Sequence, residues 1–234
     1  MKIKWPEIKA VIFDVDGTLY DQRGLRKRMI FELMAYYFIH PFRLKELKIL
    51  YVFRVQRENY NEFNTGIEED QYILAAKISR TSPDRVRYVV RKWLLDAPLR
   101  HLKDYLYQGV SELFNNLKKR GITTIIFSDY PSGSKISALG ISCPRIFCAC
   151  DKDIDALKPD PKGLFVISAR IGIPVENCLL IGDRDDRDGE CARRAGMKYL
   201  IIEQKKSGAL NRFQSYSQLN GELDNPDKPT GIAT

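Results

Sequence analysis

The run Ala10-Val11-Ile12-Phe13 stops abruptly at Asp14, Asp16 and Gly17, and this feature narrows the fold of the chain more than any other. A short, continuously apolar, partly β-branched run that ends in carboxylates and a glycine is the pattern of a buried parallel strand opening into a ligand-binding loop. The form returns at Thr123 to Phe127 before Ser128 and Asp129, and at Cys178 to Ile181 before Gly182 and Asp183. Between the last two, Pro161 to Ile171 carries Leu164, Phe165, Ile167 and Ile171 at helical spacing, closes at Gly172 and is followed by Pro174. Ser111 to Arg120 ahead of Gly121, and Glu190 to Ala195 ahead of Gly196, read as helices for the same reason. Strand, loop, helix, strand in repetition predicts an α/β fold with a Rossmann-like parallel sheet, right-handed crossovers and a ligand site at the carboxyl ends of the strands.

Residues 21–106 do not follow that rhythm. They read as several long helices broken at His40-Pro41, around Asn64 to Gly66 and at Ser82-Pro83, with Leu44, Leu47, Tyr51 and Val55, and then Tyr72, Leu74, Ala75 and Ile78, at helical spacing. The expected organisation is an α/β core formed by 1–20 and 107–224, an inserted all-helical domain at 21–106, and a polar, disordered tail at 225–234. Within the insert, Arg26, Lys27 and Arg28 precede an apolar and aromatic stretch, Met29 to Ile39. Such a stretch suits either the buried heart of the insert, the favoured reading, or weak contact with an anionic lipid surface.

Composition removes several classes. Hydrophobic residues make up 44% and charged residues 29% of the 234, the balance of a soluble globular protein. No secretory pattern follows the first lysines, and the stretch from Met29 to Ile39 is too short for a bilayer span, which needs ~20 residues. The five cysteines show no paired CxxC spacing, and we take them as reduced and mostly buried, in keeping with a cytoplasmic location. The net charge is +8, and residues 21–104 hold 17 Lys and Arg against 11 Asp and Glu, an excess of +6. An anionic partner suits that field, but the cations are dispersed and no base-stacking or groove-binding motif accompanies them, so no nucleic acid is expected. His40 and His101 are the only histidines and receive no catalytic role.

The chemistry-bearing residues form four signals in chain order. Asp14 and Asp16, two apart on an extended segment, can face one bound group. An ionised Asp14 can attack phosphorus and form an aspartyl phosphate, while Asp16 can protonate the leaving oxygen and later deprotonate water. Ser128, at the end of the second strand, can hold a phosphoryl oxygen; Asp129 is grouped with it as substrate-binding, although no chemical task follows from its position. Lys158, in Leu157-Lys158-Pro159-Asp160-Pro161, is a fixed ammonium that can neutralise nucleophile and phosphate together. Gly182-Asp183-Arg184-Asp185-Asp186-Arg187-Asp188-Gly189 supplies carboxylates for Mg2+, with Asp183 and Asp188 as the chosen pair and Asp185 and Asp186 as substitutes. The spacing and terminal Glu of an EF-hand are absent.

A DxDGTL run, a strand-end Ser, a Lys-Pro-x-Pro lysine and a GDxxxxD loop in this order resemble the haloacid dehalogenase superfamily, over roughly residues 8 to 20 and 107 to 202. The resemblance implies Asp14 as nucleophile, Asp16 as general acid and base, and Ser128 and Lys158 as the phosphate-binding pair. It also implies Mg2+ held by Asp14, by the backbone carbonyl of Asp16, and by Asp183 and Asp188. It places the helical insert where the family carries its cap, and Asp16, which the family's dehalogenases lack, argues for phosphoryl transfer. Asp129 departs from the Asn that many relatives carry. The expected activity is hydrolysis of a small phosphorylated metabolite. A phosphomutase of the beta-phosphoglucomutase type and a non-catalytic phosphate-binding relative are the alternatives; a receiver-type signalling domain is about half as long and lacks the insert.

Overall fold

The computed structural model describes residues 3–58, 67–203 and 211–224. The expected helix break around Asn64 to Gly66 and the expected disordered tail at 225–234 lie outside the described residues. Strand β1 (Ala10–Phe13) is followed by helices α1 (Gln22–Ile39), α2 (Lys45–Glu58), α3 (Ile67–Ser79) and α4 (Pro83–Val90). Then come α5 (Val110–Lys119), β2 (Thr123–Ser128), α6 (Gly133–Ala138), β3 (Ile146–Cys148), α7 (Lys162–Ile171), β4 (Cys178–Gly182), α8 (Glu190–Ala195), β5 (Lys198–Ile202), β6 (Arg212–Phe213) and α9 (Tyr216–Asp224). Contacts gather the chain into two compact units, Met1–Asp21 with Leu106–Thr234, and Gln22–Tyr105.

The first unit is built on one six-stranded sheet of order β3-β2-β1-β4-β5-β6, every pairing parallel. β1 and β4 are buried at every residue, the consequence of a parallel sheet covered on both faces, and this is why they read as unbroken apolar runs. The chain lays β2 and β3 on one side of β1 and returns to lay β4, β5 and β6 on the other. The reversal opens a crevice at the carboxyl end of β1, flanked by those of β2 and β4, the place where open α/β sheets bind ligands. Val110, Leu113, Phe114 and Leu117 of α5 face the sheet, and the Phe114 ring stacks on Phe13 at 4.5 Å between centroids. Tyr20 pairs antiparallel with Leu106, so the core releases and takes back the chain at adjacent points. β3, β5, β6 and α6 have no counterpart in the sequence reading, because β3 and β6 are too short for a periodic signal and Lys198 and Tyr199 open β5 with half-exposed side chains.

In the helical unit, α1 stops one residue before His40-Pro41, and Ser82 caps α4 by accepting the N–H of Arg85 at 3.2 Å with Pro83 in the first turn. The residues at helical spacing are not all the ones that the unit buries. Leu44, Leu47 and Tyr51 are exposed while Ile49, Leu50, Val52 and Phe53 are buried; on α3, Leu74 and Ile78 are exposed while Ala75 and Ala76 are buried. Both helices carry apolar residues on more than one face, so spacing alone does not select the face that packs. Nor is the stretch from Met29 to Ile39 the buried heart of this unit: Met29 and Tyr37 are buried, but Ile30, Phe31, Met34, Phe38 and Ile39 are exposed. The five cysteines are free; Cys178 and Cys191 are buried, whereas Cys143, Cys148 and Cys150 are only half-buried, fewer buried than expected.

Candidate active site

The site begins where β1 ends. Asp14 leaves the strand with its N–H bound to the Ile181 carbonyl of β4 at 2.9 Å, which fixes its backbone between two buried strands. Its Oδ2 accepts from the Thr18 hydroxyl at 2.9 Å, and its Oδ1 accepts from the Lys158 ammonium at 2.7 Å. Gly17 takes φ +91°, a conformation that L side chains rarely adopt, and a Cβ there would collide with the Asp183 carboxylate. The Tyr216 hydroxyl of α9 donates to the Thr18 carbonyl at 2.7 Å and braces the turn from behind.

Lys158 is nearly sealed, with 2% of its side chain exposed, and its Nζ also donates to Asp188 Oδ1 at 2.7 Å. The peptide bond from Lys158 to Pro159 is cis. Its segment is held by its own N–H, donated to Asp129 Oδ1 at 3.1 Å, and by its carbonyl, which accepts from Arg187 at 2.8 Å. Asp129 thus has a visible task that the sequence did not reveal, which is to fix the backbone of the lysine. Ser128 is buried at the end of β2, and its Oγ accepts the N–H of Tyr130 at 3.2 Å.

After β4 the chain makes a wide, π-helical turn, Asp185–Gly189, in which the N–H groups of Asp188 and Gly189 both reach the Arg184 carbonyl. The turn swings Asp188 back over Gly182, where a Cβ would leave its side chain no room. Asp188 Oδ2 then accepts the N–H groups of Asp183 and Arg184 at 3.3 and 3.1 Å. The result is a cluster of three carboxylates, Asp14, Asp183 and Asp188, each offering an oxygen within 4.8 Å of the others. Asp185 pairs instead with Arg193 and Arg212, and Asp186 with Arg184.

The electrostatics of this cluster follow from crowding. Burial pushes Asp14 up to about 6 although Lys158 lies beside it, and burial with the Asp14 and Asp188 charges pushes Asp183 up to about 8. Burial alone would lower Lys158, but Asp14, Asp188 and Asp129 hold its ammonium well above the ordinary lysine range. Asp14 and Asp188 therefore share one ammonium, with the third carboxylate, Asp183, beside them. An all-oxygen donor set with a surplus of negative charge fits a hard divalent cation such as Mg2+, which takes few protein ligands and retains water.

Asp16 stands apart from the three. Lys135 of α6 donates to its Oδ1 and Oδ2, each at 2.6 Å, and the Tyr20 hydroxyl donates to the same carboxylate. Lys135 and Tyr20 were not anticipated. A lysine seven residues beyond Ser128, in a Gly-Ser stretch, has no local pattern to mark it, and only the crossover from β2 brings it to the end of β1.

A family model described as a haloacid dehalogenase-like hydrolase matches residues 8–196 of this chain. The chain belongs to the haloacid dehalogenase-like hydrolases. An N-acetylmuramic acid 6-phosphate phosphatase of Pseudomonas aeruginosa is 26% identical to this family member over 205 residues, 86% of this chain and 84% of the relative. A glyceraldehyde 3-phosphate phosphatase of Methanopyrus kandleri is 25% identical over 225 residues, 94% of each chain. Among solved structures, a 2-haloacid dehalogenase from Pseudomonas syringae pv. tomato shares the haloacid dehalogenase-like fold with a TM-score of 0.64 at 18% identity, covering 93% of this chain and 98% of that one. The chain is an enzyme placed with the phosphatases of its superfamily, as its motifs lead one to expect.

Proposed function

We propose that this chain hydrolyses a small phosphorylated metabolite with Mg2+ and an aspartyl-phosphate intermediate on Asp14. The observation that carries the reading is the Lys158 ammonium, buried and shared at 2.7 Å by Asp14 and Asp188, with Asp183 completing a carboxylate cluster at the sheet's switch point. Thr18 and Lys158 orient the Asp14 carboxylate so that one oxygen can attack phosphorus. As the Asp14–phosphorus bond forms, the bond from phosphorus to the ester oxygen breaks, and Asp16 gives that oxygen a proton. In the second half Asp16 takes a proton from water, the water oxygen bonds to phosphorus, and the Asp14–phosphorus bond breaks to release inorganic phosphate. Lys135 and Tyr20 hold Asp16 in place for both transfers. Ser128 and Lys158 bind the phosphoryl oxygens, and Asp129 keeps Lys158 in position.

Asp14, Asp183, Asp188 and the Asp16 carbonyl are the groups that would hold Mg2+, which when bound supplies positive charge against the phosphoryl oxygens. The helical unit, in this reading, is the family's cap and the part of the chain that selects the substrate. The two relatives act on phosphorylated metabolites, and their named substrates are natural first members of a test panel.

The experiment is release of inorganic phosphate from a panel of phosphomonoesters, with magnesium and with chelator, by wild type and Asp14→Asn. Release that needs magnesium and is lost in Asp14→Asn, with the circular dichroism of the variant unchanged, is the expected result. Wild-type turnover by Asp14→Asn would remove Asp14 as nucleophile. Formation of a phosphorylated enzyme that passes its phosphoryl group to a sugar and not to water would replace hydrolysis with the mutase reading.

A further inference from the structure

Between Gln22 and Arg54 the helical unit sorts its charges by sign. Arg26, Lys27 and Arg28 near the start of α1, and Arg43, Lys45 and Lys48 around the start of α2, are all exposed. The only two carboxylates of the stretch are each paired with cations. Glu46 is buried, accepting from the Tyr37 hydroxyl at 2.9 Å and paired with Arg85, and Glu32 is engaged by Arg28 and Arg100. Neither acid stands in water without a cation partner, since Glu32, 22% exposed, also meets His101 at 2.7 Å.

Apolar side chains are exposed in the same two segments. Phe31 is 70% exposed, Met34 67%, Phe38 88% and Phe42 99%. Lys27, Phe31, Met34 and Phe38 fall on one stripe of α1, while Leu25, Met29 and Tyr37 on the other side are buried. The helix therefore has two apolar faces, and the unit's own core uses one. Large aromatic rings left in water beside an excess of cations, with the two acids neutralised by partners, are the composition of a face that lies in the headgroup region of a membrane.

We propose that this face docks on an anionic lipid bilayer surface, with Phe31, Phe38 and Phe42 entering the acyl boundary and the flanking Lys and Arg side chains on the lipid phosphates. Among the described residues no helix is long and apolar enough to cross a membrane, so α1 would lie in the plane of the interface. Charge argues against a second copy as occupant, because a two-fold contact would set this cationic face against itself. It also argues for lipid over nucleic acid: a duplex would use the cations but leave the apolar row in water. The proposal stands on the helical unit alone and does not depend on the reaction assigned to the core.

The test is sedimentation of the full chain with vesicles of phosphatidylglycerol and phosphatidylcholine, and with vesicles of phosphatidylcholine alone, at low and high salt. We expect binding to the anionic vesicles only, released as salt shortens the screening length. Arg26→Gln/Lys27→Gln/Arg28→Gln should weaken it on the order of 100-fold. Phe31→Ser/Phe38→Ser/Phe42→Ser should weaken it about tenfold or more. All six side chains are exposed, and unchanged circular dichroism and melting would show that both variants fold. Absence of sedimentation with anionic vesicles at low salt overturns the proposal, as does equal binding to both vesicle types or full binding by the Phe variant. A dimer lost in the Phe variant, without vesicle binding, would assign the face to a second copy; binding of duplex DNA in place of vesicles would assign it to nucleic acid.

Discussion

Replacing Lys158 with Met keeps most of the side chain's volume and removes the one ammonium that Asp14 and Asp188 share. Its side chain is 2% exposed and donates to both carboxylates at 2.7 Å. Breaking a buried pair by removing one partner costs about 3–5 kcal/mol. At roughly 2–4 °C per kcal/mol for a chain of this size, the melting temperature in chelator should fall by about 6–20 °C. The loss has a pH signature. Asp14 and Asp183 already titrate in the folded protein at about 6 and about 8, above the ~3.9 of a free aspartate. A folded-state pKa raised in this way contributes stability that is present at low pH and lost as pH rises through the folded value. Without Lys158 those carboxyls rise further, so the deficit of the variant should be small near about pH 5 and large near about pH 8. Thermal unfolding followed by circular dichroism in chelator at both pH values measures it, and added magnesium at the higher pH should restore part of the loss. A melting temperature within about 2 °C of wild type at the higher pH, or the same deficit at both, would refute the reasoning.

Lys135→Met should lower kcat on the order of 10- to 100-fold with little change in KM, because Asp16 loses the group that orients it, and Lys135→Arg should recover part of the rate; steady-state kinetics decide, and an unchanged kcat removes Lys135 from the mechanism. Gly17→Ala should cost roughly 1–3 kcal/mol, since the residue sits at φ +91° and the new Cβ displaces the Asp183 carboxylate. Denaturant unfolding measures that cost, and magnesium titration should show weaker binding by the same variant. Magnesium should raise the melting temperature of the wild type more at about pH 8 than at about pH 6, because its carboxylate ligands must first lose their protons, Asp183 last. An equal shift at both pH values would take Asp183 out of the metal shell.

Much of the core was open to reading because burial on both faces leaves a plain mark. β1, β2 and β4 are apolar runs that end in polar loops, and those loops carry Asp14, Ser128, Asp183 and Asp188; α7 and α8 stop at glycines with positive φ, as their sequences predict. The order of four motifs also sufficed to place the chain in its superfamily. What local pattern could not decide was which groups meet. Lys135 and Tyr20 converge on Asp16, Tyr216 braces Thr18 from a helix nearly two hundred residues away in sequence, and Asp129 turns to the backbone of Lys158. Each of these contacts depends on where the crossovers bring residues distant in sequence, and no periodicity records that.

The helical unit shows the other limit. Spacing predicts several helices within residues 21–106, because a stripe of apolar residues is a property of the chain itself. It does not say which stripe is covered when a helix has two: α1 buries Leu25, Met29 and Tyr37 and leaves Phe31, Met34 and Phe38 in water. The sequence by itself determined the α/β class, the strands that end at the site and the carboxylates and lysine available there. Tertiary structure alone decided which carboxylates share the lysine, which residue holds Asp16, and which apolar face stays open, since each is settled by packing between segments that are remote along the chain.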